Sequence, residues 1–122
     1  MSIQGGAIGS NSSGKSGTSA FEGGKPFQPD NYNIRHTKAG LVSAVRTLNG
    51  DVDSRFFIQT EDDAGWADDR YAAFGIVLEE EGNESGGLGG GMDLVRRISK
   101  VDVKTPQNSP KDPVMIVGCG IY

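Results

Sequence analysis

The chain has 122 residues, of which 19 are glycine and 35% are hydrophobic, and its formal net charge is −4. This length corresponds to one domain, and the many glycines favour short strands and turns over a helical bundle. The acidic balance argues against a nucleic-acid partner, because no basic stripe could neutralise phosphates. The lone cysteine, Cys119, excludes an internal disulfide; it lies in an apolar run and is expected to be a buried, unreactive thiol. No apolar stretch reaches membrane-spanning length.

The first half of the chain predicts a β-hairpin that follows a long irregular region. Residues 5–24 are rich in Gly, Ser and Asn, and residues 25–37 contain two prolines, so both segments are expected to be loops. The β-branched and apolar content of Leu41–Leu48 predicts a strand, followed by a turn at Asn49–Asp51. Asp53–Thr60 is the next predicted strand and would pair with the first.

The second half predicts a buried strand, a helix and a final strand. In chain order, these predictions are a solvated acidic loop around Trp66 at Glu61–Asp69, a well-buried strand at Ala72–Leu78, a Gly/Glu-rich loop insert at 79–91, a helix at Met92–Val101 and a strand at Val114–Val117. The helix is predicted because Met92, Val95 and Ile98 recur on one face at three-residue spacing. Several short strands with one helix favour a mostly β barrel or sandwich spanning residues 1–122.

Two adjacent phenylalanines in the second predicted strand indicate where function lies. Successive strand side chains alternate between faces, so Phe56 and Phe57 must point in opposite directions. One can fill a core while the other lines an apolar groove, with Trp66 close by. Such a groove is suited to a proline ring or another small apolar group.

A phosphate-binding motif competes with this interpretation. Residues 9–16, GSNSSGKS, match the pattern G-x-x-x-x-G-K-[ST]. That chemistry needs a buried strand before the loop and a helix after it, whereas residues 17–29 hold three glycines and two prolines. We therefore predict a Gly/Ser loop without a nucleotide. His36, the sole histidine, is expected to bond backbone groups, and no residue spacing indicates a metal site.

The pattern of motifs resembles the cyclophilin family along the whole chain. The matching segments are Gln4-Gly5-Gly6, Gly14-Lys15-Ser16, His36-Thr37 with Gly40, Ser54-Arg55-Phe56-Phe57-Ile58, Trp66, Phe74-Gly75, Gly91-Met92-Asp93 and Cys119-Gly120. The resemblance implies an eight-stranded antiparallel barrel capped by two helices. It also implies cis–trans isomerisation of the bond preceding proline, without a cofactor, on proline-containing peptides or proteins.

The resemblance assigns substrate-binding roles to several residues. Phe57 matches the family's pocket floor, Gln4 a glutamine that holds the substrate carbonyl, and Trp66 the tryptophan beside the groove. The departures from the family pattern are Arg55 for a glutamine, Arg46 for an asparagine, Val45 for an alanine, Ala67 for a pocket leucine and Tyr71 for a rim histidine. Arg46 and Arg55 are expected to add positive charge along the peptide path and to favour acidic peptides.

The family's catalytic arginine lies upstream of the Gln-Gly-Gly segment, so no residue of this chain is assigned that role. Met1 is expected to be an internal residue of a longer sequence, and the barrel is expected to be incomplete at its N-terminus, with open edges. Three functions stay open: a proline-peptide binder with weak or lost isomerase activity, a fully active isomerase if upstream residues supply the arginine, or a structural subunit of a larger assembly.

Overall fold

The computed structural model describes residues 1–8, 18–79, 90–105 and 108–121. These residues form a mainly β structure with one α-helix. In chain order the elements are β1 at Ser2–Gly5, β2 at Leu41–Arg46, β3 at Val52–Gln59, β4 at Ala73–Ile76, α1 at Gly91–Ser99, β5 at Val103–Lys104 and β6 at Ser109–Pro110. Short 3₁₀ turns lie at Glu22–Gly24 and Gly65–Ala67. Within the described ranges, no helix has the length and apolar character needed to cross a membrane.

The main sheet has four antiparallel strands in the order β1-β3-β2-β4, and β5 and β6 pair as a separate ribbon. The predicted β2–β3 hairpin is confirmed. Its turn is closed by backbone hydrogen bonds from Thr47 N–H to the Asp51 carbonyl, 2.7 Å, and from Gly50 N–H to the Thr47 carbonyl, 3.0 Å. Gly50 has φ +86°, a conformation that glycine adopts without a steric cost. The sheet order places β3 between β1 and β2, so the Phe56-Phe57 pair lies in an interior strand.

The predicted helix is confirmed, and it packs with Met92 and Val95 buried. Its N-terminus is held by Leu78 and Glu79, at the start of the predicted 79–91 insert. Glu79 Oε1 accepts a hydrogen bond from Met92 N–H at 3.1 Å, and the Leu78 carbonyl accepts one from Gly91 N–H at 3.2 Å. A carboxylate at this end satisfies a helix N–H that has no partner within the helix. We call this pair of contacts the Glu79 clasp.

Two predictions about burial and one about a strand are wrong. Ala72–Leu78 was expected to be well buried, but β4 is an edge strand in which Phe74 and Ile76 are exposed. Val114–Val117 belongs to no strand of the described sheets, and its side chains are exposed. Cys119, in the same segment, is also exposed. These predictions rested on the apolar composition of the segments. Burial also requires a neighbouring layer, and the described part of the chain places no such layer over these side chains.

Two segments discussed above fall outside the described residues. They are the phosphate-loop match at residues 9–16, and residues 80–89, which make up most of the predicted insert. The eight-stranded barrel stays a prediction, since the described residues contain the four-stranded sheet and the two-stranded ribbon.

Candidate functional site

Three aromatic rings form a cluster on one face of β3. The Phe57 ring centroid lies 5.7 Å from that of Trp66 and 5.2 Å from that of Tyr71, and the Trp66 and Tyr71 centroids are 6.0 Å apart. Both contacts of Tyr71 are edge-to-face, a favourable arrangement for aromatic pairs. We call these three residues the ring cluster. Phe57 is 4% exposed beneath the cluster, whereas Trp66 is 45% exposed, so the tryptophan is the most accessible of the three rings.

The loop after β3 carries two of the rings. Its backbone turns at Gly65–Ala67, where Ala67 N–H bonds the Ala64 carbonyl at 3.0 Å and Tyr71 N–H bonds the Ala67 carbonyl at 3.1 Å. Ala64 and Ala67 are almost completely buried under this turn. The small Ala67 side chain therefore lies beneath the loop, while Trp66 and Tyr71 reach the phenylalanine.

Gln4 and Arg46 lie beside the ring cluster, and Val45 precedes Arg46 in β2. Gln4 pairs directly with Phe57 in the β1–β3 register, so the two side chains share a face of the sheet. The Arg46 guanidinium lies 5.4 Å from the Tyr71 ring centroid, within the range of a cation–π contact. Val45 is half-buried and lies at a register shift, where residues 53–55 of β3 face this single residue of β2.

Arg55 corrects the expectation that it adds free charge along a peptide path. Its Nε donates to Asp53 Oδ1 at 3.0 Å, its Nη2 donates to Asp53 Oδ2 at 3.0 Å, and its backbone N–H bonds the same carboxylate at 2.9 Å. The Arg55 side chain is 7% exposed and that of Asp53 is 1% exposed. The charge of Arg55 is therefore matched inside the protein. Residues i and i+2 of a strand share a face, so the Asp-x-Arg spacing was a signal for this pair.

His36 is the main residue that the sequence interpretation misjudged. Its ring was expected to bond backbone groups, but Nδ1 lies 3.1 Å from Asp68 Oδ1 and Nε2 lies 2.8 Å from Ser43 Oγ. The Asp68 carboxylate also accepts the His36 backbone N–H at 2.7 Å. This backbone bond is the largest cause that lowers the pKa of Asp68; the imidazole bond and the charge of Arg35 lower it further, against partial burial. No local spacing joins residues 32 positions apart, so the sequence carried no signal for this contact.

A second concave feature lies on the other face of the sheet. An open groove of about 440 Å³ is lined by Ala44 and Phe56, which pair across β2 and β3, and by Phe74 at the edge. The alternation of strand side chains puts this groove on the face opposite Phe57. It does not include the ring cluster.

The structure thus brings a tilted loop tryptophan, a tyrosine and a cross-strand glutamine to the second of two adjacent phenylalanines in an interior strand, the arrangement that the resemblance to cyclophilins predicts. The comparison with protein families agrees, because the cyclophilin-type peptidyl-prolyl cis-trans isomerase/CLD family model matches residues 1–121. The chain belongs to this family.

The chain is similar to curated proteins that are named peptidyl-prolyl cis-trans isomerases. The chain is 29% identical over 118 residues to peptidyl-prolyl cis-trans isomerase B of Saccharomyces cerevisiae, with 97% of this chain and 50% of the relative covered. It is 33% identical over 118 residues to isomerase D of the same yeast, covering 97% of this chain and 45% of the relative. A peptidyl-prolyl cis-trans isomerase of Encephalitozoon cuniculi is 30% identical over 98 residues, with coverages of 80% and 50%. The chain spans about half the length of these relatives.

Proposed function

We propose that this domain binds X–Pro peptide segments at the ring cluster and isomerises them weakly or not at all. The observation that carries the proposal is the packing of Trp66 and Tyr71 on Phe57, with centroids 5.7 and 5.2 Å away, on the face that also carries Gln4. A proline ring is compact and apolar, so it gains by replacing water against such rings. Gln4 would then bond the substrate backbone.

The low activity is inferred from what isomerisation requires. Rotation about the amide C–N bond faces a barrier of about 18–20 kcal/mol, and X–Pro bonds exchange in tens to hundreds of seconds. An enzyme must stabilise the twisted amide, for example with a donor aimed at the prolyl nitrogen, and losing such a donor costs about 10²–10³ in rate. The two arginines that the resemblance places beside the pocket are both engaged by other groups: Arg55 is held by Asp53, and Arg46 lies over Tyr71. We therefore propose that neither arginine serves as the donor to the prolyl nitrogen.

The closed state of the ring cluster also supports weak binding. Phe57 is 4% exposed, and the Tyr71 ring meets it edge-on. A proline ring can reach Phe57 only if Tyr71 or Trp66 moves aside, and this displacement reduces the net affinity. Of the two arginines expected to favour acidic peptides, we propose that Arg46 has this role, because the charge of Arg55 is paired with the Asp53 carboxylate.

The complete fold is proposed to be the family's eight-stranded barrel with two capping helices. Phe74 and Ile76 on edge strand β4 are exposed and apolar, as are Val114 and Val117. Large exposed apolar patches are costly in water, so further strands packed over these side chains would stabilise the sheet.

Two measurements test the proposed function. Trp66, the only tryptophan, reports binding of an X–Pro peptide through its fluorescence, and exchange spectroscopy reports isomerisation of the same peptide. We expect saturable binding that Phe57→Leu weakens by roughly tenfold, since burying one large apolar side chain contributes about 1.5–3 kcal/mol. Phe56→Leu is the matched control, because it makes the same change on the opposite face and should leave affinity within about threefold.

Other outcomes separate the alternatives. Exchange as fast as that catalysed by an ordinary cyclophilin would overturn the low-activity proposal and favour a full isomerase. If binding is undetectable, or Phe57→Leu and Phe56→Leu have equal effects on it, the proposed pocket is wrong. A structural role in a larger assembly would then be favoured.

A further inference from the structure

His36 connects three separate parts of the site. Its ring bonds Ser43 in β2 at Nε2, 2.8 Å, and Asp68 in the loop after β3 at Nδ1, 3.1 Å. Its carbonyl accepts hydrogen bonds from Ala64 N–H, 2.8 Å, and from Gln59 Nε2, 3.1 Å. The residue is 1% exposed. One side chain and one peptide unit thus tie the start of the ring-bearing loop to both central strands.

The imidazole also touches the ring cluster directly. Its plane lies 19° from that of Phe57, with the centroids 6.2 Å apart, as expected for stacked rings. Phe57 is therefore packed between His36 and the rings of Trp66 and Tyr71. Any movement of the imidazole would move the phenylalanine or leave a gap beside it, since protein interiors are close-packed.

The Ser43–His36–Asp68 order matches a hydrolytic triad in residue type, but a hydrolytic role fails on access. Ser43 is completely buried, so its hydroxyl cannot reach a substrate carbonyl. The hydrogen bonds nonetheless fix the imidazole. An ionised carboxylate only accepts, so Nδ1 carries the hydrogen shared with Asp68, and in the neutral ring Nε2 accepts the Ser43 hydroxyl.

We propose that His36 is a positioning residue for the proline pocket. By holding Asp68 and the Ala64 N–H, it fixes the loop that carries Trp66 and Tyr71 at a set distance from Phe57. The Asp68 contact is the critical one, because a charge-assisted hydrogen bond is about twice as strong as a neutral one. This inference rests on the proposed function, since the pocket it positions is the one proposed to bind proline.

Three variants of neighbouring acids test this role before any peptide is added. Asp68→Ala removes the acceptor of both His36 bonds, whereas Asp68→Asn keeps an acceptor oxygen. Asp69→Ala is the matched control, because it deletes a carboxylate of the same loop that binds Arg35 at 2.8 Å. The measurements are the Trp66 emission maximum and the nuclear Overhauser effects between the Phe57 and Trp66 rings.

We expect Asp68→Ala to shift the emission and weaken the ring–ring effects, while Asp68→Asn restores most of the signal and Asp69→Ala resembles the parent protein. Unchanged spectra in Asp68→Ala would overturn the proposal, as would equal shifts in Asp68→Ala and Asp69→Ala. If Asp68→Ala fails to fold, His36→Phe takes its place: it keeps a ring against Phe57 but removes both ring-nitrogen bonds. A native Trp66 spectrum in that variant would refute positioning by the imidazole, since the backbone hydrogen bonds of residue 36 remain in it.

Peptide titration then separates the two proposals. Asp68→Ala would displace Trp66, the exposed ring of the site, together with Tyr71, whereas Tyr71→Ala only uncovers Phe57. Asp68→Ala should therefore weaken X–Pro peptide binding, by about tenfold, and Asp68→Asn by about threefold or less. If the parent protein binds no peptide, the proposed function fails, whereas the ring spectra still decide the role of His36. Parent-like affinity in Asp68→Ala, together with displaced rings, would show that ring position does not control binding.

Discussion

Removal of one partner of the buried Asp53–Arg55 pair should destabilise the protein strongly, because it leaves the other charge buried without its counterion. The Asp53 carboxylate accepts three donors of Arg55, namely its backbone N–H, Nε and Nη2, at 2.9 to 3.0 Å. Arg55 Nη2 also reaches the Arg46 carbonyl at 3.4 Å. The pair lies at the register shift between β2 and β3. There the Asp53 carboxylate accepts a hydrogen bond from the backbone N–H of Arg55.

The expected cost follows from burial. Asp53→Ala would leave the guanidinium, in a side chain 7% exposed, without its carboxylate, and breaking such a buried pair costs about 3–5 kcal/mol. Asp53→Asn should cost less, because the amide oxygen still accepts the backbone N–H. The surface pair Arg35–Asp69 has a similar separation, 2.8 Å, but exposed side chains, so loss of this pair should cost about 1 kcal/mol or less. Asp69→Ala adds about 1 kcal/mol, because Asp69 has φ +61°, which alanine adopts less readily than aspartate, and the total still lies below the cost expected for Asp53→Ala.

Urea denaturation gives the free energies of unfolding, and a double-mutant cycle with Arg55→Met isolates the pair. We expect the double variant to be more stable than the sum of the two single changes predicts, by about 1–3 kcal/mol. The reasoning would be refuted if Asp53→Ala cost no more than Asp69→Ala, or if the two single changes in the cycle were additive.

Three further outcomes are expected. Tyr71→Ala should strengthen X–Pro peptide binding by about two- to tenfold, because an edge-to-face contact worth about 0.5–1.5 kcal/mol no longer covers Phe57; weaker binding would instead show that the contact of Tyr71 with the proline ring outweighs its covering of Phe57. Arg46→Ala should reduce the ratio of affinities for acidic and neutral X–Pro peptides by up to about fivefold, and less at high salt; an unchanged ratio would contradict this role. The lowered pKa of Asp68 means that its carboxylate stabilises the folded protein above about pH 4 and loses this effect as the pH falls. The unfolding free energy should therefore drop less in Asp68→Asn than in the parent between about pH 6 and about pH 3, and equal drops would show that Asp68 does not contribute.

Local patterns predicted the parts of the fold that depend on neighbouring residues in the chain. The β2–β3 hairpin follows from two apolar strands around an Asn-Gly-Asp turn, and helix α1 follows from the spacing of Met92 and Val95. The alternation rule placed Phe56 and Phe57 on opposite faces. These properties need no knowledge of distant residues, so the sequence is sufficient for them.

The errors concern contacts between distant segments. The continuous apolar run of β4 is compatible with burial on both faces or on one, and only the position of the strand at the sheet edge decides between them. The role of His36 depends on Asp68, which is far away in sequence, and burial of Cys119 requires a partner for residues 114–117. The family resemblance predicts that Arg55 lies beside the pocket, whereas its guanidinium is bonded by the carboxylate of Asp53, two residues before it.

The Glu79 clasp affects how freely this domain can vary in length. It joins Leu78 and Glu79 to Gly91 and Met92, so the two ends of the intervening chain are fixed to each other by hydrogen bonds. When the ends are anchored in this way, doubling the number of residues between them costs only about 0.6 kcal/mol of loop-closure entropy. Related chains could therefore gain or lose sequence at 80–89 without disturbing the ring cluster, and a reporter domain or affinity tag inserted there would leave the start of α1 in place.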